Sequence, residues 1–355
     1  MHKDEPEEPI FSMNIPPSKL QYDGTRVTIP AEEAIETAVR IFKRVGCNSD
    51  TAHQVAEHLV DTNLCGMESH GLMRAIQYVD QFKSGYICAD AVAQVKDLGK
   101  GVWEVNGAGG IGIPAMHMAI DHGCRMAREN GMSVLAIRNV GHTGRLGAFA
   151  DTAAETGCIT IMIGGGNRRK WRQVAPYGGR RAMLPTNPYC IGIPGGDRGP
   201  VVLDFATSKI AGGWIYAARS AGALLPENVM IDVDGHPTQD PEDYFKGGAI
   251  LPAGEAKGYA LALVAELIGE AMLGPVTAES NWLMITLDTG RYREASQMQA
   301  VAEEILGELR DCPPAPGFDK VQIPGERERD QRAASNGQIV LPEETWNQIC
   351  ELDKD

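Results

Sequence analysis

The sequence predicts an α/β fold framed by helices, and three observations carry that prediction. Between residues 101 and 206, short apolar runs alternate with segments of helical period, the pattern of strands joined by helices. Residues 30–85 read instead as consecutive amphipathic helices with short joints, and helical periodicity returns after residue 290. No internal repeat or low-complexity block interrupts the chain.

Taken in order, "IPAEEAIETAVRIFKRVG" carries Pro30 early, acids in its first turn and Gly46 at its end, which are start and stop signals of a helix. "NSDTAHQVAEHLVDTNLCG" gives a second helix, with Ser49 as its expected N-cap. "ESHGLMRAIQYVDQFKSG" (68–85) reads as a third. Strands are expected at 101–105, 132–140 and 158–164, separated by helices at 114–130 and 145–156. Further strands are expected at 189–194, 200–206 and 281–288, and long helices at 257–273 and 294–310. "CPPAPG" (312–317) breaks the pattern before a final helix in "PEETWNQICEL".

Composition narrows the function classes. The 355 residues are 43% hydrophobic and 23% charged, an ordinary globular balance long enough for two or three domains or for one core with a large insertion. A net charge of −14 argues against nucleic acid or an anionic membrane as partner. No apolar run approaches the roughly 20 residues of a membrane helix, and the acidic, Pro-rich start lacks the pattern of a signal peptide. The cysteines at 47, 65, 88, 124, 158, 190, 312 and 350 are scattered without a C-x-x-C pair, so free thiols in a reducing cytoplasm are expected, with no zinc site or other metal centre.

Two glycine stretches invite a nucleotide reading. "GAGGIG" (107–112) fits G-x-G-x-x-G after a strand and before a helix, but the next strand ends near Arg138-Asn139 without the acid that would hold a ribose. "GGGN" (164–167) follows a strand and serves either a ligand or a turn. Within 68–85, His70, Arg74 and Tyr78 fall within about 80° of one another on a helical wheel, opposite Leu72, Ala75, Ile76 and Val79. An imidazole, a guanidinium and a phenol suit a small oxo or hydroxy acid: Arg clamps a carboxylate, His exchanges a proton and Tyr donates a hydrogen bond. The alternative is a solvated helix face. His142 in "NVGHTGRLGAFAD" sits between a strand and a helix, a frequent address for chemistry. Asp204 ends an apolar run, where it could orient a histidine or cap a turn. Lys257 at a helix start is unfavourable to the dipole and so marks either an anion or a solvated side chain.

Seven blocks then give a resemblance that covers residues 30–350. "SHGLMRAIQYVDQFKSG", "NVGHTGRLG", "VAPYGGRRAMLPTNPYCIGIP", "VVLDFATSKIAGG", "DGHPTQDP", "LPAGEAKGYALAL" and "IPGERE" occur in the order of the second malate/L-lactate dehydrogenase family. The sequence resembles these non-Rossmann NAD(P)-dependent oxidoreductases, among them ureidoglycolate dehydrogenase, 2,3-diketogulonate reductase, sulfolactate dehydrogenase and cyclic imino acid reductases. The resemblance implies a mixed-sheet NAD(P)-binding core, which makes "GAGGIG" a decoy. The acidic, Pro-rich start reads as a mobile arm at 1–27, followed by a helical dimerisation domain from 28–98 and 290–355 and a cofactor- and substrate-binding domain at 99–289. The resemblance implies catalytic roles for His70, His142 and Asp204, and substrate contacts from Ser69, Arg74 and Tyr78. Cofactor contacts would fall on His142, Asn187, Asp204, Ala206, Thr207, Lys257, Gly258, Gly325 and Glu326, with NAD or NADP as cofactor and a cytoplasmic homodimer as the assembly. The implied reaction is hydride exchange between nicotinamide and C2 of a small 2-oxo or 2-hydroxy acid. The alternatives are reduction of a cyclic imino acid and a catalytically silent homologue.

Three departures from the family pattern stand out. Leu184-Pro185 replaces the Gly before Thr186-Asn187-Pro188, and Glu255 replaces the second Gly of P-x-G-G-x-K-G. The segment "GGGNRRKWRQ" (164–173) is basic in an acidic protein. Its Arg168, Arg169, Lys170 and Arg172 could meet the 2′-phosphate of NADP, a doubly anionic substrate, acids of a partner subunit or water alone.

Overall fold

A computed structural model describes residues 24–354, so most of the expected arm at 1–27 lies outside the described residues. β1 (Arg26–Pro30) leads into α1 (Ala31–Arg44) and α2 (Ser49–Leu64), followed by a 3₁₀ turn at Glu68–His70 and α3 (Arg74–Lys83). The sheet region contains β2 (Gln94–Gly99), β3 (Val102–Asn106), α4 (Gly112–Asn130), β4 (Met132–Arg138), α5 (Leu146–Glu155), β5 (Cys158–Gly165), β6 (Pro188–Gly196) and β7 (Gly199–Ala206). Then come α6 (Gly212–Ala221), β8 (Met230–Ile231), β9 (Pro237–Thr238), α7 (Glu242–Phe245), β10 (Ala249–Ile250) and α8 (Ala256–Glu266), which runs on as a π-helical stretch to Met272. β11 (Asn281–Asp288), α9 (Ala295–Arg310), α10 (Glu326–Ala334), β12 (Gln338–Pro342) and α11 (Glu343–Leu352) complete the order.

Among the described residues, the main sheet has seven strands in the order β2-β3-β4-β11-β5-β6-β7. β3 and β4 pair in parallel across the α4 crossover, and every other neighbouring pair is antiparallel. This mixed sheet is not the mostly parallel Rossmann sheet. β1 and β12 pair antiparallel from Arg26↔Pro342 to Pro30↔Gln338, so the two ends of the described chain meet, and α11 packs on α1 and α3. One hydrophobic core runs from this layer into the sheet through Phe42, Leu59, Tyr78, Leu135 and Met162. Each fully buried aliphatic or aromatic side chain of this kind contributes roughly 1.5–3 kcal/mol. A separate small core around Ile215, Met230 and Ile250 supports α6 and the β10-β8-β9 sheet.

Two local expectations are corrected. The N-cap of α2 is Asn48, whose side chain accepts the Thr51 N–H at 2.9 Å, and Ser49 is the first helical residue. Residues 68–85 are not one helix, because the backbone is extended at Gly71 (φ −89°, ψ −156°). The Asn63 side-chain oxygen accepts the Leu72 N–H at 2.6 Å and fixes that break. A side chain at residue 71 would lie 2.2 Å from the same oxygen, so only glycine passes there.

Candidate active site

The break at Gly71 sets the geometry of the site. It swings Ser69 and His70 off the α3 axis, while Arg74 opens that helix. Arg74 Nε donates to Ser69 O at 2.7 Å and Nη1 to Gln77 Oε1 at 2.6 Å. Nη2 has no partner among the described residues. It lies 3.9 Å from where a side chain on Gly213 would begin, so the free nitrogen faces the first turn of α6. Tyr78 is fully buried and packs among core residues, so the solvated-face reading of this helix is overturned.

His142 comes from the loop between β4 and α5, and its ring is 5.5 Å from that of His70 in a stacked arrangement. The Gly144 backbone N–H, which can only donate, points at His142 Nδ1 at 3.2 Å. Tyr78 OH lies 2.6 Å from the same nitrogen. Nδ1 is therefore the acceptor, Tyr78 donates, and the proton of neutral His142 sits on Nε2. Ser69 Oγ contacts His70 Nδ1 at 3.0 Å. Burial, reinforced by Arg74, lowers the His70 pKa to about 3. Burial, Arg74, His70 and His58 hold His142 well below the usual histidine range. Burial also pushes Tyr78 above the ordinary phenol range. Near neutral pH the cluster is thus two neutral imidazoles and a neutral phenol beside one guanidinium.

The remaining sequence-predicted residues form a second and a third group. Asp204 on β7 accepts the Gly147 N–H at 2.7 Å at the start of α5. Asp204 thus caps the first turn of α5 rather than the turn that follows it, and no histidine hydrogen-bonds it among the described residues. Asp204 is exposed, but desolvation by the surrounding protein raises its pKa to about 6 against the Gly147 N–H and Arg145. Beyond it, Thr207 N–H and Oγ1 both donate to Thr186 O, and Ala253 N–H donates to Thr207 O. Gly258 in the first turn of α8 would place a side chain 2.8 Å from Thr207 O and 2.0 Å from Ala253 O, so its glycine permits this close approach. Lys257 beside it is exposed and has no ion-pair or hydrogen-bond partner among the described residues. Asp204, Ala206, Thr207, Lys257 and Gly258 therefore line one edge.

Asn187 and Glu326 are committed within the protein. Asn187 is 1% exposed at φ +38°, and its amide donates to Glu266 Oε1 at 2.7 Å. Glu266 also accepts the Gly166 and Arg168 N–H groups, tying the glycine loop to Asn187. Glu326, following Gly325, is buried against Arg310 at 2.8 Å and Arg198 at 3.3 Å. The basic loop is also satisfied in part inside the chain, because Arg168 and Arg169 both pair with Glu270.

Both glycine motifs fill with protein. Side chains at Gly107 and Gly112 would meet Val140 at 2.4 Å and Gly141 O at 2.6 Å, so the His142 loop occupies the turn where a pyrophosphate would lie. Gly165 and Gly166 pack on Ala265 and Gly269 of the α8 segment. Sequence reasoning missed Gln77 and Gln81, although their spacing from Arg74 places them on its helix face. It also missed Arg145, which is 5% exposed and bonds Asp61 at 3.0 Å, and Glu279, for which no local signal exists.

Fold and cluster together define a class: a mixed-sheet, non-Rossmann α/β architecture with two stacked histidines beside an arginine. The chain belongs to the malate/L-lactate dehydrogenase family, whose model matches residues 29–350. It is 31% identical over 344 residues to a Δ1-pyrroline-2-carboxylate/Δ1-piperideine-2-carboxylate reductase of Pseudomonas putida, covering 93% of this chain and 98% of that protein. It is 33% identical over 319 residues to an L-lactate dehydrogenase of Cupriavidus necator, covering 86% and 90%. The crystal structure of Δ1-piperideine-2-carboxylate reductase from Pseudomonas syringae pvar. tomato superposes with a TM-score of 0.81 at 30% identity, covering 92% of this chain and 99% of that one.

Proposed function

We propose that this protein moves a hydride between NAD or NADP and C2 of a small 2-oxo or 2-hydroxy acid. The observation that carries the reading is the placement of two donors side by side. His142 presents an Nε2–H whose position is fixed by Tyr78 and Gly144, and Arg74 presents an uncommitted Nη2. Arg74 would hold the substrate carboxylate, and the His142 Nε2–H would donate to the reacting oxygen, with His70 stacked behind it. The unpaired Lys257 at the start of α8 fits a phosphate of the dinucleotide, and Ala206, Thr207 and Gly258 supply close backbone beside it. When bound, the nicotinamide supplies or accepts the hydride. The chain's own residues would orient the acid, keep the histidines neutral by burial, and hold the Nε2–H of His142 toward the reacting oxygen as a hydrogen-bond donor.

A second reading, reduction of a cyclic imino acid, has its own support. Both histidines are held below the usual range, so neither is a ready proton source at neutral pH. A protonated C=N brings its own proton and needs only to be held. The likeness to the Pseudomonas putida reductase points the same way. We further propose a cytoplasmic homodimer. Leu263, Val264 and Leu267 leave an exposed apolar face on the α8 segment, which supports self-association. No helix among the described residues is long and apolar enough to cross a membrane.

A panel of 2-oxo acids and cyclic imines, followed by NADH and NADPH absorbance, tests these readings. Consumption with oxo acids alone supports the first reading, and consumption with imines alone supports the second. No turnover with any of them favours a silent homologue.

A further inference from the structure

Beside the site lies a carboxylate that the hydride chemistry does not use. Glu279 precedes β11, and its N–H donates to Val140 O at 3.2 Å, two residues before His142. The same segment is pinned from outside: Tyr86 OH donates to Ala278 O at 3.1 Å, and Lys170 Nζ to Thr277 O at 3.0 Å. The Glu279 side chain faces Arg74 and Lys170, with Gln81 against it, yet it forms no ion pair among the described residues. Burial pushes its carboxyl above the usual range, opposed by Gln81, Arg74 and Lys170. Gln81 lies two turns beyond Arg74 on α3, and its Oε1 is buried without a partner. A buried acceptor left unmade is costly and calls for a donor. The site thus has a free donor at one end, Arg74 Nη2, and at the other an unsatisfied acceptor, Gln81 Oε1, beside the Glu279 carboxylate that the Gln81 amide hydrogen-bonds.

We propose that Glu279 and Gln81 form a second polar subsite that selects the far end of the substrate: an acid whose tail carries a hydrogen-bond donor, best an ammonium, over one ending in a second carboxylate or a sulfonate. The inference rests on the reading of Arg74 as carboxylate anchor. Once the substrate carboxylate occupies Arg74, the nearest balancing cation of Glu279 is taken. Lys170 remains, with its ammonium committed to Thr277 O and lying 5.7 Å from the Tyr86 ring centre. A terminal ammonium would then pair with Glu279 and donate to Gln81, whereas a terminal anion would meet a like charge at close range.

The test uses three 2-hydroxy acids of matched length that end in an ammonium, a methyl or a carboxylate. The hydroxy form avoids the cyclisation that amino 2-oxo acids undergo. Dissociation constants and the oxidation-direction kcat/KM are measured for the full-length protein and for Glu279→Gln. The expected order is ammonium, methyl, carboxylate, with the two extremes at least about tenfold apart, and the variant should bring them to within about threefold. A carboxylate-ended acid bound as well as the ammonium-ended one, or a ratio that Glu279→Gln leaves unchanged, overturns the proposal. The dissociation constants read the subsite even without turnover. Turnover of the methyl-ended acid separately reads the hydride chemistry, so failure of one is not mistaken for failure of the other.

Discussion

Arg74 reaches the site with one guanidinium nitrogen still free, because Ser69 O and Gln77 Oε1 take the other two. That arrangement fixes the plane of the fork before substrate arrives. Arg74→Ala should therefore lower kcat/KM for a carboxylate substrate by about 2–5 kcal/mol, the range for removing one partner of a desolvated charge pair. Arg74→Lys should recover only part of it, since an ammonium cannot hold Ser69 O, Gln77 and a carboxylate in one plane. Steady-state kinetics on both variants would check this, and wild-type values for Arg74→Ala would sink the anchor role. Tyr78 acts one step removed, through His142. Tyr78→Phe leaves Nδ1 with only the Gly144 N–H at 3.2 Å, so the ring can turn or change tautomer. We expect kcat to fall roughly 10–100-fold with KM little changed. ¹⁵N shifts of the His142 ring should show the proton on Nε2 in the wild type and a mixture in the variant. A proton on Nδ1 in the wild type would contradict the assignment. His70, Arg74, Tyr78 and His142 were all legible as candidates, because the first three fall on one face of the expected helix and His142 lies between a strand and a helix. Their mutual geometry was not legible, since the Tyr78–His142 contact spans 64 positions and the break at Gly71 depends on Asn63.

At the scale of elements, the start of α8 shows how a departure in sequence becomes strain in structure. Where the family pattern carries glycine, Glu255 adopts φ +56° and ψ −115°, outside the regions open to side chains with a Cβ. Such a conformation costs on the order of 1–3 kcal/mol. Glu255→Gly should therefore raise stability by about 1 kcal/mol after the added freedom of the unfolded chain is set against the relieved strain. Thermal unfolding would read it, and an unchanged or lower melting temperature would show that the turn is not strained. The same scale explains what the sequence disclosed about the fold. β4, β5 and β11 are central strands, and their near-continuous apolar runs announce them. β2 is a sheet edge, "QVKDLG", with little apolar content, and β12 pairs only with β1. β8, β9 and β10 have two residues each, too few for any period to show. α6 opens on two glycines, and α10 is "ERERDQRAA", held by ion pairs such as Arg329–Asp151 and Arg332–Asp61 rather than by an apolar stripe. Helices and strands that depend on distant partners leave no local trace.

Across the whole molecule, the buried histidines couple folding to pH. His58 is 5% exposed, accepts the Arg145 N–H on Nε2 at 2.9 Å and stacks on Phe149 with ring centres 5.0 Å apart. Burial, with Arg145, His117 and His70, lowers its pKa to about 3, and His70 is lowered to the same level. In the unfolded chain both return to about 6.5, so between pH 6.5 and 3 the unfolded state binds more protons than the folded one. Their neutral burial is thus without penalty above pH 6.5, and stability is lost as the pH falls below that value. At pH 5 each should cost about 2 kcal/mol relative to neutral pH, and His142 acts with the same sign. Asp204 opposes them: its carboxyl is raised to about 6, so its unfavourable contribution grows as pH rises from the ordinary carboxylate value through 6 and is partly relieved on acidification. Glu279 and Asp151 are raised and act with Asp204, while His117 and His122 are lowered and act with the other histidines. The deeply lowered histidines dominate, and the melting temperature should drop by several degrees between pH 7.5 and pH 5. His58→Gln should narrow that gap while lowering stability at pH 7.5, because it removes the titration and also the stacking on Phe149. Scanning calorimetry of both proteins at the two pH values is the measurement. A melting temperature that holds constant or rises on acidification would mean that the histidines are already hydrated or paired in the folded state, and the neutral tautomer assigned to His142 would then need a different proton.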